Sequence, residues 1–441
     1  MKKHKELGLA HKMLYGAGMG GSALVDRLML LWVYPFYVTS FLERGYSLVE
    51  PLVFGLIMFF GRAVDGLADP LIARLSDNHR GRWGRRIPFM ALSGIFYVLV
   101  FVAIFHPLFP QKSAWNHVYL ALMLGIYFFL YTAYVCPYLA LLPDIARTTR
   151  DRVDLSTFKA VFGMIGGGIG MVGSGILIGY LGFHGMLWAM GLLGLIFLYL
   201  PVFIREKDHT DSKPSDMGLI EALTATFKNK PFVIYLFGSN AFWFGFNIIT
   251  INLPLYITQL MGKPEEETSF YLLALAAAII FFPIVNFLVK KWGLKTMMIT
   301  SMLIFVIMLP FTYVIGMPLL GLSPDIWWFS IIGVCCFSIT GLMIIPDAIV
   351  AVVSDLEEKM SGQRREGMYF GAQGLINKIN LGLSTVLSGA LLQYFGSPLG
   401  IRLTGPVSAL FILIGMLIFL LYPEKEIIST ITTPSRPRRN V

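Results

Sequence analysis

Apolar stretches long enough to cross a bilayer, roughly 18 residues or more, recur from one end of this chain to the other. No other feature restricts its fold so strongly. Inside hydrocarbon every backbone N–H and C=O must bond within the protein, which leaves helices and closed barrels. Barrel strands alternate apolar and polar residues, and these stretches do not. The chain is 56% hydrophobic and 14% charged, where a soluble domain carries roughly 25% charged residues. The sequence therefore predicts an all-α polytopic membrane protein.

Twelve spans are expected, near 13–41, 49–75, 87–108, 116–143, 155–182, 185–204, 231–261, 268–290, 295–317, 325–353, 367–395 and 402–422. The first run, after MKKHKELGLAHKM, is too long for a cleaved signal peptide and reads as a span. Arg80, Arg82, Arg85 and Arg86 follow span two, Arg147, Arg150 and Arg152 follow span four, and Lys290, Lys291 and Lys295 surround the turn after span eight. The intervening loops carry few basic residues. By the positive-inside rule both termini are cytoplasmic. The net charge of +9 thus belongs to loops and implies no nucleic-acid partner. Cys136, Cys335 and Cys336 lie in apolar runs, without disulfide or metal-ligand spacing.

The charged segment 205–230 divides the chain into halves 1–204 and 231–422, followed by a polar tail, 423–441, expected to be disordered. An internal repeat supports the division. Gly173-SGILIGYLG and Leu387-SGALLQYFG share Ser, Gly, Leu, Tyr and Gly at matched positions, and an arginine-containing loop precedes each. Two six-helix halves related by an axis along the membrane normal describe the major facilitator architecture.

Span two holds Asp65 and Asp69 within PLVFGLIMFFGRAVDGLADPLIARL. A carboxylate at the bilayer centre costs about 3 kcal/mol on insertion scales. The i, i+4 spacing puts both on one helix face. Such a pair can hold Na⁺, which favours hard oxygen ligands, or take up a proton. The plainer alternative is an ion pair with Arg62 or Arg74. Pro70 frees a carbonyl beside them. Thr132 in span four can add a hydroxyl ligand, or bond back to its own helix.

Asp26 and Arg27 place two charges in span one, either on a water-lined face or in a structural ion pair. Lys159 and Lys378 are the other intramembrane cations, with Gln373, Asn377 and Asn380 near Lys378. A lysine there can neutralise a carboxylate, donate to sugar hydroxyls or bind an anionic head group. Lys159 can instead snorkel to the cytoplasmic edge. In span seven Asn240, Asn247 and Asn252 stand among Phe242, Trp243, Phe244 and Phe246, a mixture that suits a sugar ring or plain interhelical packing. Nine glycines between Gly163 and Gly182 point to close helix approach. Neither HExxH nor GxSxG occurs, and the glycine run is no phosphate loop. An intramembrane aspartyl protease needs its acids on two helices, whereas Asp65 and Asp69 share one.

Asp65-GLADPLIARLSDNHRGRWGRRIPF resembles the signature of the glycoside–pentoside–hexuronide:cation symporters, the melibiose permease group of the major facilitator superfamily. Tyr15-GAG, Tyr131-T with Pro137-Y, and Arg365-EGMYFGAQGLINK agree with it, and the resemblance covers all twelve spans. It implies a cation site at Asp65, Asp69 and Thr132, and substrate contacts from Lys378, Tyr131 and Gln373, with Lys159 near the place of a substrate-binding arginine. Two acids of the galactoside type are absent: their positions fall on Ala23 and Val135. Asp26, one turn beyond Ala23, is a candidate substitute. Sodium-coupled lysophospholipid carriers match equally well at Asp65, Asp69, Thr132 and Lys378.

The resulting expectation is a non-enzymatic, monomeric symporter of the cell membrane. It would need no cofactor beyond Na⁺ or H⁺ as coupling ion. Its solute would be a sugar or glycoside bound near Lys378, Tyr131, Gln373, Lys159, Asp26, Asn247 and Trp243. The loop carrying Asp77, Arg85 and Arg86 would gate the cytoplasmic side by ionic contacts. A lysophospholipid carrier is the alternative within the class. A non-transporting receptor is the alternative outside it.

Overall fold

A computed structural model describes residues 7–39, 46–146, 148–204, 227–317, 321, 323–361 and 366–432. Most of the 205–230 segment and the end of the tail lie outside them. Among the described residues the regular secondary structure is helical, apart from one isolated bridge between Gly81 and Gly84. The helices are α1 (Leu9–Val38), α2 (Pro51–Asn78), α3 (Ile87–Ile104), α4 (Ala114–Ile145), α5 (Thr149–Gly168), α6 (Ser174–Tyr199), α7 (Lys230–Leu255), α8 (Thr268–Leu273), α9 (Ala278–Trp292), α10 (Leu294–Met308), α11 (Pro324–Ser361), α12 (Glu366–Phe395), α13 (Leu399–Phe419) and α14 (Glu424–Thr432).

Among the described residues, ten helical stretches are long and apolar enough to cross a membrane. The sequence divided the chain into twelve spans, and the difference has two sources. Asp154–Phe203 counts as one stretch of 50 residues, roughly 75 Å of helix where a bilayer core is about 30 Å. Gly182, at φ +71°, interrupts it, at the boundary the sequence placed between spans five and six. The 30-residue α1 is the other: Asp26 and Arg27 lower its apolarity.

The repeated window reappears in the backbone. Its two copies end on Gly182 and Gly396, with φ of +71° and +68°. Glycine takes positive φ without steric cost, so each copy breaks its helix at the same point.

The chain forms two compact units. One comprises Met1–Asp216, Leu253–Leu272 and Thr385–Tyr394; the other comprises Met217–Asn252, Leu273–Ser384 and Phe395–Val441. These boundaries differ from the halves expected at 1–204 and 231–422. The end of α12 groups with the first unit because it meets the start of α2 backbone to backbone. A Cβ on Gly389 would lie 2.1 Å from the Pro51 carbonyl oxygen, and one on Gly55 would lie 2.6 Å from the Val386 Cα. The Leu52 N–H donates to Gln393 Oε1 at 3.1 Å.

Residues 424–432, expected to be disordered, are helix α14. Glu424 explains the difference. Its Oε1 accepts from the Leu294 and Lys295 amides at 2.7 and 3.2 Å, and Ile427 is buried. Acids in a first helical turn also oppose the helix dipole.

Glycines set the closest crossings, as the sequence implied for span five. A Cβ on Gly166 of α5 would stand 2.0 Å from the Gly20 carbonyl oxygen of α1. Within the first unit α1 crosses α6 where a Cβ on Gly21 would reach the Gly194 oxygen at 2.7 Å. Within the second unit α7 crosses α13 where a Cβ on Gly415 would reach the Gly238 oxygen at 2.6 Å. Gly166→Ala is expected to destabilise the purified protein by about 1–3 kcal/mol through overpacking. Gly168→Ala is the control, because nothing lies within 4 Å of its added methyl. Equal unfolding midpoints for the two variants would rule out a tight α1–α5 contact.

Candidate functional site

Pro51 opens α2 at a position where a missing N–H costs nothing. Apolar residues carry the helix to Arg62, and Arg62 and Asp65 follow three residues apart on one face. Asp65 is fully buried. From α4, Thr132 donates its hydroxyl to Asp65 Oδ1 at 2.5 Å. The alternative for Thr132, a bond back into its own helix, is not the one the structure holds. From its own helix, Arg62 Nη1 bonds Asp65 Oδ2 at 3.2 Å. The Arg62 pairing that the sequence offered as an alternative is therefore present beside the hydroxyl.

Phe128 lies one turn before Thr132 and supports the arginine: the guanidinium sits 4.1 Å above its ring centroid. Asp26 of α1 approaches from the other side, its Oδ1 4.0 Å from Arg62 Nη2. Asp26, expected at the substrate, thus stands against Arg62, while Arg27 is exposed. Tyr97 and Tyr127 share a hydroxyl contact of 3.0 Å, and the half-buried Tyr131 ring is 6.0 Å from that of Tyr97. Asp69 is half-buried one turn beyond Asp65. Its carbonyl lies 4.0 Å from the Cys136 thiol. Ala23 and Val135, the positions without acids, are also half-buried.

The other candidates lie on separate elements. Lys159 is half-buried on α5. In the second unit Trp243 and Asn247 are half-buried one turn apart on α7, and the Trp243 ring meets Phe242 and Phe246 edge-on at 5.5 Å. Asn240 and Asn252 bond back to the Leu236 and Ile248 carbonyls. On α12, Asn380 donates to the Asn240 backbone oxygen at 2.6 Å, joining α7 to α12. Gln373, Asn377 and Lys378 are half-buried on α12. Among the described residues, the buried Gln373 Oε1 and Asn377 Oδ1 have no hydrogen-bond partner.

The loop between α2 and α3 forms a clasp. Arg86 pairs with Asp77, bonds Ser76 Oγ at 2.8 Å and reaches Asp144 at 3.5 Å. Arg85 bonds Asp144 at 2.9 Å. Sequence reasoning found Asp77, Arg85 and Arg86 but missed Asp144 at the end of α4. An acid placed where an apolar span meets a basic loop was the available signal. Phe128 was missed as well, since one phenylalanine among many carries no mark of its role.

The family model described as MFS/sugar transport protein matches residues 14–423. The inner membrane symporter YicJ of Escherichia coli is 23% identical over 89% of this chain and 84% of its own length. The mouse sodium-dependent lysophosphatidylcholine symporter 1 is 22% identical over 67% of this chain and 61% of its own. The solved structure of the nucleoside transporter NupG superposes with a TM-score of 0.66, at 13% identity, over 97% of this chain and all of that one. An apolar helical fold, a buried carboxylate–hydroxyl pair in its second helix and a family match over nearly the whole chain converge. The chain belongs to the MFS/sugar transport family of the major facilitator superfamily, as a multi-pass cell-membrane protein and a cation-coupled symporter rather than an enzyme.

Proposed function

We propose that this symporter couples Na⁺ or H⁺ at Asp65, Asp69 and Thr132 to the inward movement of a sugar or glycoside. The observation that carries the ion site is the Thr132 hydroxyl aimed at a fully buried Asp65 carboxylate. Hard oxygen donors of this kind suit Na⁺, and the same carboxylate can take a proton.

The solute reading rests on α7 and α12. Trp243 offers a ring face for stacking and Asn247 a polar neighbour. Gln373 and Asn377 offer unpartnered acceptors to hydroxyl groups, and Lys378 a donor. Tyr131 and Lys159 are the further candidates. The family description names sugar transport. Asp77, Arg85 and Arg86 act in this reading as the cytoplasmic gate, and a single chain is the transporting unit.

The test is thermal unfolding of the purified protein with mono- and disaccharides or with lysophosphatidylcholine, each in NaCl and in choline chloride at two pH values. A sugar should raise the midpoint, and more so with the coupling ion present. Stabilisation by lysophosphatidylcholine alone would replace the sugar with a lipid solute.

A further inference from the structure

Arg62 stands between two carboxylates and satisfies only one. Its Nη1–Asp65 contact of 3.2 Å is long for a charge-assisted bond, which runs at about 2.7–2.9 Å. Its Nη2 is 4.0 Å from Asp26 Oδ1, roughly one ångström outside the same range. Among the described residues, Arg62 Nε and Asp26 Oδ1 are both buried without a hydrogen-bond partner. The unused acceptor, Asp26 Oδ1, is the atom that faces Nη2. The guanidinium rests on the Phe128 ring, a surface over which it can shift while keeping its cation–π attraction. Asp65 Oδ1, by contrast, is fixed by Thr132.

A cation entering the oxygens of Asp65 and Thr132 would meet a second positive charge within a few ångströms. In a medium of low dielectric that repulsion is large, and the guanidinium needs another acceptor. Asp26 is placed to be that acceptor. Among the described residues, Arg62, Asp65, Arg27 of its own helix, and Tyr97, Tyr127 and Tyr131 of α3 and α4 lie in electrostatic reach of Asp26.

We propose that Arg62 is a tethered counter-cation, bound to Asp65 when the ion site is empty and handed to Asp26 when the coupling ion binds. The inference rests on the ion-site reading above and gives Asp26 a positioning role, apart from contact with the solute.

The test measures half-saturating ion concentration in the purified full-length protein, read as thermal stabilisation on titrating Na⁺ against choline and on titrating pH. Asp26→Asn strands Arg62 on Asp65 and should weaken ion binding about tenfold or more. Asp26→Glu extends the acceptor toward Arg62 and should strengthen it, which keeps the test open should Asp26→Asn fail to fold. Adding Arg62→Gln to Asp26→Asn removes the competitor and should restore the ion response to within about threefold of the parent. A merely structural Asp26 would lower the unfolding midpoint with half-saturation unchanged. Unchanged half-saturation in Asp26→Asn, weakening in Asp26→Glu, or no restoration in the double variant would each overturn the handover. A parent-like ion response in Asp65→Asn would instead overturn the ion site itself.

Discussion

In energised cells or vesicles, Asp65→Asn should abolish accumulation of the solute while the protein reaches the membrane in normal amount. One monovalent cation moving down a potential of 100 mV releases about 2.3 kcal/mol, enough for a roughly 50-fold solute gradient. Without a carboxylate to hold the ion, that ratio should fall to about 1. The amide still accepts a hydrogen bond from Thr132, so the fold loses little. Asp26 remains for Arg62 to pair with. The measurement is steady-state uptake of the solute found in the stabilisation screen, normalised to protein in the membrane. Accumulation equal to the parent's would take Asp65 out of the ion site.

Asp144→Ala should be the most destabilising single change in the clasp. Arg85 and Arg86 both reach this one carboxylate, and its side chain is only 3% exposed. Removing one partner of a buried ion pair costs about 3–5 kcal/mol, because the opposite charge stays behind. Asp77 also pairs with Arg86 but is 34% exposed, so Asp77→Ala should cost about 1 kcal/mol or less. Thermal unfolding of the two variants decides the order. A midpoint for Asp144→Ala no lower than for Asp77→Ala would show that the clasp does not centre on α4. Arg85→Ala combined with Asp144→Ala should cost less than the sum of the singles, as expected for direct partners.

The helices were legible because membrane insertion imposes a length and an apolarity that show in sequence. The break at Gly182 was legible for the same reason, with glycine marking the place. The carboxylate and hydroxyl of Asp65 and Thr132 were legible as residue types that a membrane helix tolerates only with polar company. Which of the offered partners Asp65 takes was not. An i, i+3 spacing permits Arg62 to pair with it but does not say whether a closer acceptor exists on another helix. Asp26 lies far away in sequence, and its approach to Arg62 depends on how α1 crosses its neighbours. Asp144 was hidden likewise, since only the return of the α2–α3 loop brings the two arginines to it. Helix α14 was misjudged because composition describes a segment alone, and the amides that Glu424 caps belong to residues 294 and 295.

The glycine crossings also bear on how a helix contact tolerates later substitutions. An interface made of side chains is inherited as matched shapes, and each later substitution can erode it. The α1–α6 and α7–α13 crossings depend on an omission, since a methyl group at Gly21 or Gly415 would meet the facing backbone. An omission has no partner residue to drift away from. Two crossings set in different surroundings can therefore hold their helices close without any matched pair of side chains between them.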